Sequence, residues 1–247
     1  MKQIDGEDWS GARFDNVDLG GARFRNVNLH GVKMVDAVLA DADLSGLIDG
    51  LKINGVEIAP LVKAELELRY PSRTALFATD PAGVQEACRS VESLWQVTVE
   101  RARRLPEADL HERVDDEWSF IETLRHLVFV TDAWVGRVVM GDPQPFHPIG
   151  LPPTFVTDGE AYGIDPGAEP DLKTVLEVRA SRFALVARVA EEATPDELER
   201  VCESNAAVGY PPETQHRVLD CIWTVLDEEW WHHQFATRDL HALEHHH

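Results

Sequence analysis

Basic residues are scarce in this chain: 23 Lys and Arg stand against 44 Asp and Glu, a net charge of −21 over 247 residues. A field of that sign repels phosphate backbones and argues against nucleic acid as a ligand. Cysteine is nearly absent as well. Cys88, Cys202 and Cys221 are odd in number and widely spaced, which supports neither a disulfide framework nor a cysteine zinc motif and leaves buried reduced thiols as the expectation. No run approaches the roughly 20 apolar residues that a bilayer crossing needs, and the start, MKQIDGEDWSG, lacks the basic-then-apolar order of a secretory signal. The expected location is the cytoplasm. Gly-rich phosphate loops, nucleophile elbows and dinucleotide fingerprints are missing too. The closing LEHHH, residues 243–247, reads as the remnant of an expression tag and leaves eight of the eleven histidines as native.

What the chain does have, at 44% hydrophobic and 27% charged residues, is the composition of a folded globular protein. Between Ala12 and Leu44 it repeats with a period of five. Large apolar residues fall at Phe14, Leu19, Phe24, Leu29, Met34, Leu39 and Leu44, and small ones two positions earlier at Ala12, Val17, Ala22, Val27, Val32, Ala37 and Ala42. Neither the helical period of 3.6 nor the strand period of 2 produces this, so the backbone must turn a corner once per repeat. Pairs such as Asp15-Asn16 and Gly20-Gly21 suit such corners.

These residues resemble the pentapeptide repeat family, whose members coil as a four-sided right-handed β-helix with the large and small apolar residues stacked inside. The resemblance runs from Ser10 to about Val56, and we place the module at residues 10–58. Two coils bury little by themselves, which implies that the module needs caps or a partner surface. Some pentapeptide proteins imitate DNA with an acidic surface, but residues 1–60 hold ten acids and six bases, and most of the negative charge lies beyond them. A structural or docking module is the expectation.

A connector over residues 59–80 leads to an all-α region at 81–242. Asp80-Pro81 opens a helix, with Pro at the favoured first position, and four long helices are predicted at 82–104, 117–139, 171–192 and 213–240. Residues 141–170 hold seven prolines and five glycines, too many for regular structure, and read as one long crossover or lid. Thr194 to Glu197 has the form of a capping box. Four helices with one long connection predict a four-helix bundle.

The fourth helix carries an apolar stripe, Ile222, Val225 and Leu226, that continues at the same spacing into Glu229, His233 and Ala236. A carboxylate on a core face needs a cation, and a carboxylate and imidazole at i and i+4 can share one metal ion; a plain Glu-His hydrogen bond on a wet face is the competing reading. His126, the one histidine of the second helix, sits on the flank of the Phe120, Leu124, Leu127 stripe. His232 lies about 100° around from His233 and reads as a neighbouring base lining the pocket or as an exposed residue. Trp230 and Trp231 read as core or interface packing residues, with walls of the pocket as the competing reading, and Glu122 and Asp132 as solvated. Cys221 is too far along the helix from His232 to form a thiolate-imidazole pair.

Together, the segment EWSFIETLRHL and the fourth helix with its His-His pair resemble the DinB-like metal-binding bundle superfamily, which includes mycothiol-dependent maleylpyruvate isomerases and other thiol S-transferases. The resemblance covers about Ala82 to Leu240. It implies a divalent metal ion, zinc or nickel foremost, on three ligands that land here on His126, Glu229 and His233, with a glutamate as in the isomerase branch. By this resemblance the protein transfers a low-molecular-weight thiol, as cosubstrate, to a small electrophile, or hydrolyses one; the alternative is a non-catalytic binding protein with a structural metal, docked through the β-helix. A small-molecule substrate is expected, and no nucleic acid or membrane partner.

Overall fold

The computed structural model describes residues 4, 6–25 and 27–245. The chain divides into two compact units, Met1–Ala42 and Asp43–His247.

In the first unit, corners fall where the period of five requires them, and they alternate in kind. Hydrogen-bonded turns recur every ten residues, from Ala12 N to Trp9 O, Ala22 N to Leu19 O, Val32 N to Leu29 O and Ala42 N to Leu39 O, at 2.9–3.2 Å. Gly11, Gly21, Gly31 and Asp41 take left-handed backbone there, and Asn16 and Asp36 supply left-handed corners between them. The expected stacked interior is a different matter. Phe14, Leu19, Phe24, Leu29, Met34 and Leu39 remain 46–60% exposed. No strand and no backbone hydrogen bond from coil to coil occurs among the described residues of this unit. A repeat segment this short offers few neighbours for any inward side chain to stack on.

The second unit starts with a two-residue hairpin, β1 (Lys52–Ile53) and β2 (Val56–Glu57), turned by left-handed Asn54 and Gly55. Helices α1 (Ala59–Arg69) and α2 (Pro71–Thr74) follow, so much of the predicted connector is helical. Helix α3 (Pro81–Ala102) begins where the sequence places it, with the Asp80 carboxylate accepting from Gly83 N at 3.0 Å. It buries a stripe of Val84, Cys88, Val91, Trp95 and Ala102.

Helix α4 (Phe120–Thr131) opens on a capping box between Ser119 and Glu122 and is buried at every position but Glu122. It continues as a π-helix over Asp132–Val139, where Gly136 lets Pro145 approach: a Cβ at Gly136 would lie 2.8 Å from Pro145 Cβ. Helix α5 (Leu172–Glu192), the short α6 (Pro195–Glu199), capped by Thr194, and α7 (Val218–Glu244) complete the unit. Helix α4 packs on α5 and α7, and α3 packs on the same two, giving one apolar core that runs from Leu76 to Leu240.

The predicted lid is ordered by α4. Arg125 donates from Nε to Ile149 O at 2.8 Å and from Nη2 to Asp165 O at 3.2 Å, Leu151 N donates to Arg125 O, and Phe146 and Ile164 pack on Phe129 and Ala133. Asp132, expected in solvent, is 2% exposed. It accepts from His147 N at 2.8 Å and Arg182 Nε at 2.6 Å, because the lid and α5 cover the side of α4 that the sequence pattern leaves polar. Glu122, also expected to be solvated, is bound to Arg113. No helix of the described residues is long and apolar enough to cross a membrane.

Candidate metal centre

The sequence DEEWWHH on α7 contains the spacing Glu-x-x-x-His twice, one residue apart: Glu228 with His232 and Glu229 with His233. The two registers point about 100° apart on the helix, and the structure uses them differently.

Glu229 and His233 follow the apolar stripe into the core, at 1% and 9% exposure. There the cation that a buried carboxylate requires is a side chain: Arg179 of α5 donates from Nη2 to Glu229 Oε2 and lies 4.7 Å above the ring of Trp95. Burial still raises the Glu229 carboxyl above its ordinary pKa, against the pull of Arg179. His233 Nε2 lies 2.8 Å from Thr98 Oγ1, with the imidazole set edge-on to Trp95. The expected grouping of His126 with Glu229 and His233 is therefore corrected. The premise that a buried carboxylate needs a positive partner holds, but the dry face of α7 gives that place to a guanidinium.

His126 meets the other register. Its Nε2 is 3.6 Å from Glu228 Oε2, His232 Nε2 is 3.1 Å from the same oxygen, and one ligand atom from each residue lies within 4.8 Å of the others. His232, expected as a bystander base, is thus one of three converging groups. The carboxylate is the open corner: the His126 and His232 side chains are 6% and 13% exposed, and that of Glu228 40%.

Local structure fixes each member. His126 Nδ1 lies 2.9 Å from the carbonyl of Leu151 in the lid. A carbonyl only accepts, so Nδ1–H donates there, and Nε2 is the ring nitrogen that faces Glu228. Trp118, just before the cap of α4, lies over both imidazoles, with ring centroids 4.5 Å from His126 and 5.8 Å from His232. Burial works against the Glu228 charge, but the hydrogen-bonding imidazoles of His126 and His232 outweigh it and hold the carboxyl well below the usual range. Burial also lowers His232, more than Glu228 raises it. A cation bound there would displace the imidazole protons that face the carboxylate and take up its charge.

The donor set fits a divalent transition metal. Metal-ligand bonds of about 2.0–2.2 Å at tetrahedral or similar angles place neighbouring ligand atoms roughly 3–4 Å apart, as each imidazole nitrogen is from the Glu228 oxygen, and two nitrogens with one oxygen suit zinc, nickel, iron or manganese. An open cleft of about 340 Å3 lies along α7, lined by Phe77, Asp220, Trp223, Thr224, Asp227 and Glu228, and of the three converging residues it touches Glu228 alone. A second group, His241, Glu244 and His245, is exposed and includes two residues read as tag.

The family model of the DinB superfamily matches residues 90–236, the stretch that holds all three converging side chains. The chain belongs to the DinB superfamily. Eight copies of the pentapeptide repeat match residues 8–46, ahead of the DinB region. No curated protein and no solved structure matches the chain. Of the DinB residues named here, sequence reasoning missed Glu228 and Trp118. The duplicated Glu-x-x-x-His spacing was the signal for the first, and the position of Trp118 one residue before the α4 cap was the signal for the second.

Proposed function

We propose that this DinB protein is a metal-dependent transferase that joins a low-molecular-weight thiol to a small electrophile at His126, Glu228 and His232. The observation that carries this reading is the convergence of those three side chains from α4 and α7, with the Glu228 carboxylate open to solvent. A divalent ion held there would lower the pKa of a bound thiol and offset negative charge developing on the electrophile. The chain's own groups prepare that chemistry. Leu151 O orients the His126 ring, Trp118 shields both imidazoles from water, and the open side of Glu228 leaves room for substrate. In this reading the four long helices work as a bundle around the site, and the pentapeptide segment is a short β-helix that serves as a structural or docking module.

The test uses tag-free protein. About one zinc or nickel per chain, together with metal-dependent consumption of cysteine or glutathione in the presence of an epoxide or enone probe, supports transfer. Loss of the electrophile without thiol consumption points to hydrolysis. Metal without turnover of any probe places the protein with non-catalytic metal binders.

A further inference from the structure

The first unit has ordered corners but no interior. Four hydrogen-bonded turns recur along it, yet every described residue of the unit is exposed. Ordering a backbone costs about 1–2 kcal/mol per residue, and burial of apolar surface is what normally offsets that cost. Here the apolar surface is present and uncovered. Of 27 large apolar side chains that stay exposed among the described residues, 13 fall between Ile4 and Leu39. At about half a side chain each, they present on the order of 1,000 Å2 of apolar surface, against roughly 300–600 Å2 for the largest patch of an ordinary monomer. One partner in a standard interface contributes about 800 Å2, so the area suffices for a stable complex.

The sequence marks one side of the unit for contact. Positions flanking the large residue of each repeat carry charge in the early repeats, as at Arg13 and Asp15 or Arg23 and Arg25, and turn apolar at Val35, Val38 and Ala40. Val35 and Val38 are 74% and 90% exposed, so these two side chains project into solvent without serving the unit's own packing.

Charge and spacing select the occupant. Residues 1–42 hold seven acids and five bases, whereas residues 43–247 hold 37 acids and 18 bases. Two copies of so acidic a chain repel one another over most of their surface and can approach without that penalty where the charge is nearly balanced. A second copy also brings large side chains at the same five-residue spacing, and in a two-fold pair an apolar patch meets itself.

We infer that the first unit is a dimerisation surface, on which a second copy of this chain docks through the apolar side that contains Val35 and Val38. The inference goes beyond the proposed function and does not depend on the metal centre.

The experiment is sedimentation equilibrium of the tag-free full chain. The wild type is expected to be a dimer at micromolar concentration. In the double variant Val35→Lys, Val38→Lys, like charges meet across the two-fold contact, and the dissociation constant is expected to rise at least about 100-fold. Both side chains are exposed, so the variant keeps its fold, and an unchanged urea midpoint checks this. Hydrogen exchange supplies the second measurement: amides of residues 32–41 are expected to exchange more slowly in the wild-type dimer than in the monomeric variant. A monomeric wild type overturns the inference, and slow exchange of the same amides in that monomer would mean that the cover comes from within the chain. A variant that remains a dimer of wild-type affinity also overturns it, by placing the contact elsewhere.

Discussion

Arg179 of α5 and Glu229 of α7 form an ion pair sealed in the core, with the carboxylate 1% exposed and the guanidinium stacked on Trp95. The pair stands one residue away from the carboxylate that faces His126, so the two glutamates of DEEWWHH have separable tasks. Breaking a buried pair by removing one partner leaves an uncompensated charge, which costs about 3–5 kcal/mol, whereas replacing both by apolar residues costs far less. Glu229→Gln is expected to lower stability by about that amount in urea unfolding while leaving the metal content per folded chain unchanged. The double variant Arg179→Met, Glu229→Leu is expected to recover much of the loss.

The three converging ligands make the complementary prediction. In tag-free protein, His126→Ala, Glu228→Ala and His232→Ala are each expected to remove most of the bound metal by elemental analysis, and His233→Ala to retain it. His233→Ala loses the contact with Thr98, and a stability decrease of about 1 kcal/mol is the expected cost. The tag must be removed because His241, Glu244 and His245 form a second, exposed group of metal donors.

Arg125 holds the lid by the carbonyls of Ile149 and Asp165, next to the Leu151 carbonyl that orients His126. Arg125→Leu is expected to release this stretch. Limited proteolysis should then cut within residues 149–165, and metal affinity should fall about 10- to 100-fold, the usual cost of losing a group that orients a ligand. Wild-type affinity with a cleaved lid would separate the lid from the metal centre.

Asp132 gives a dependence on pH. Burial raises its carboxyl from 3.8 to about 6, against the hydrogen bond from His147 N and the charge of Arg182. The folded state therefore holds this proton more tightly than the unfolded state. The stabilisation it contributes is complete below pH 3.8 and is lost as pH rises through about 6, a change of about 3 kcal/mol. Asp132→Asn cannot titrate, so the stability difference between wild type and variant should shift in the variant's favour between pH 4 and 6.5. The check is urea unfolding of both proteins across that range; parallel profiles would show that Asp132 does not titrate there.

Much of the fold can be read from local rules. Asp80-Pro81, Ser119 with Glu122, and Thr194 are capping signals, and α3, α4 and α6 start at them. The period of five announces its corners, and those form as well. The stacked interior of the repeat could not be read in this way, because burial there depends on how many coils lie on either side. Asp132 is a similar case: its own helix leaves it on a polar side, and only the lid and α5, distant in sequence, bury it.

At the candidate metal centre the sequence by itself determined the parts: one histidine on α4, two overlapping Glu-x-x-x-His pairs on α7, and family membership. It also required that a carboxylate entering the core find a positive charge. Tertiary structure alone decided which pair does what. The dry face of α7 meets Arg179 and Thr98, while the flank 100° away meets His126, Trp118 and the open cleft. Spacing along a helix fixes which side chains share a face, but the residue that waits opposite that face belongs to another helix, and only packing brings it there.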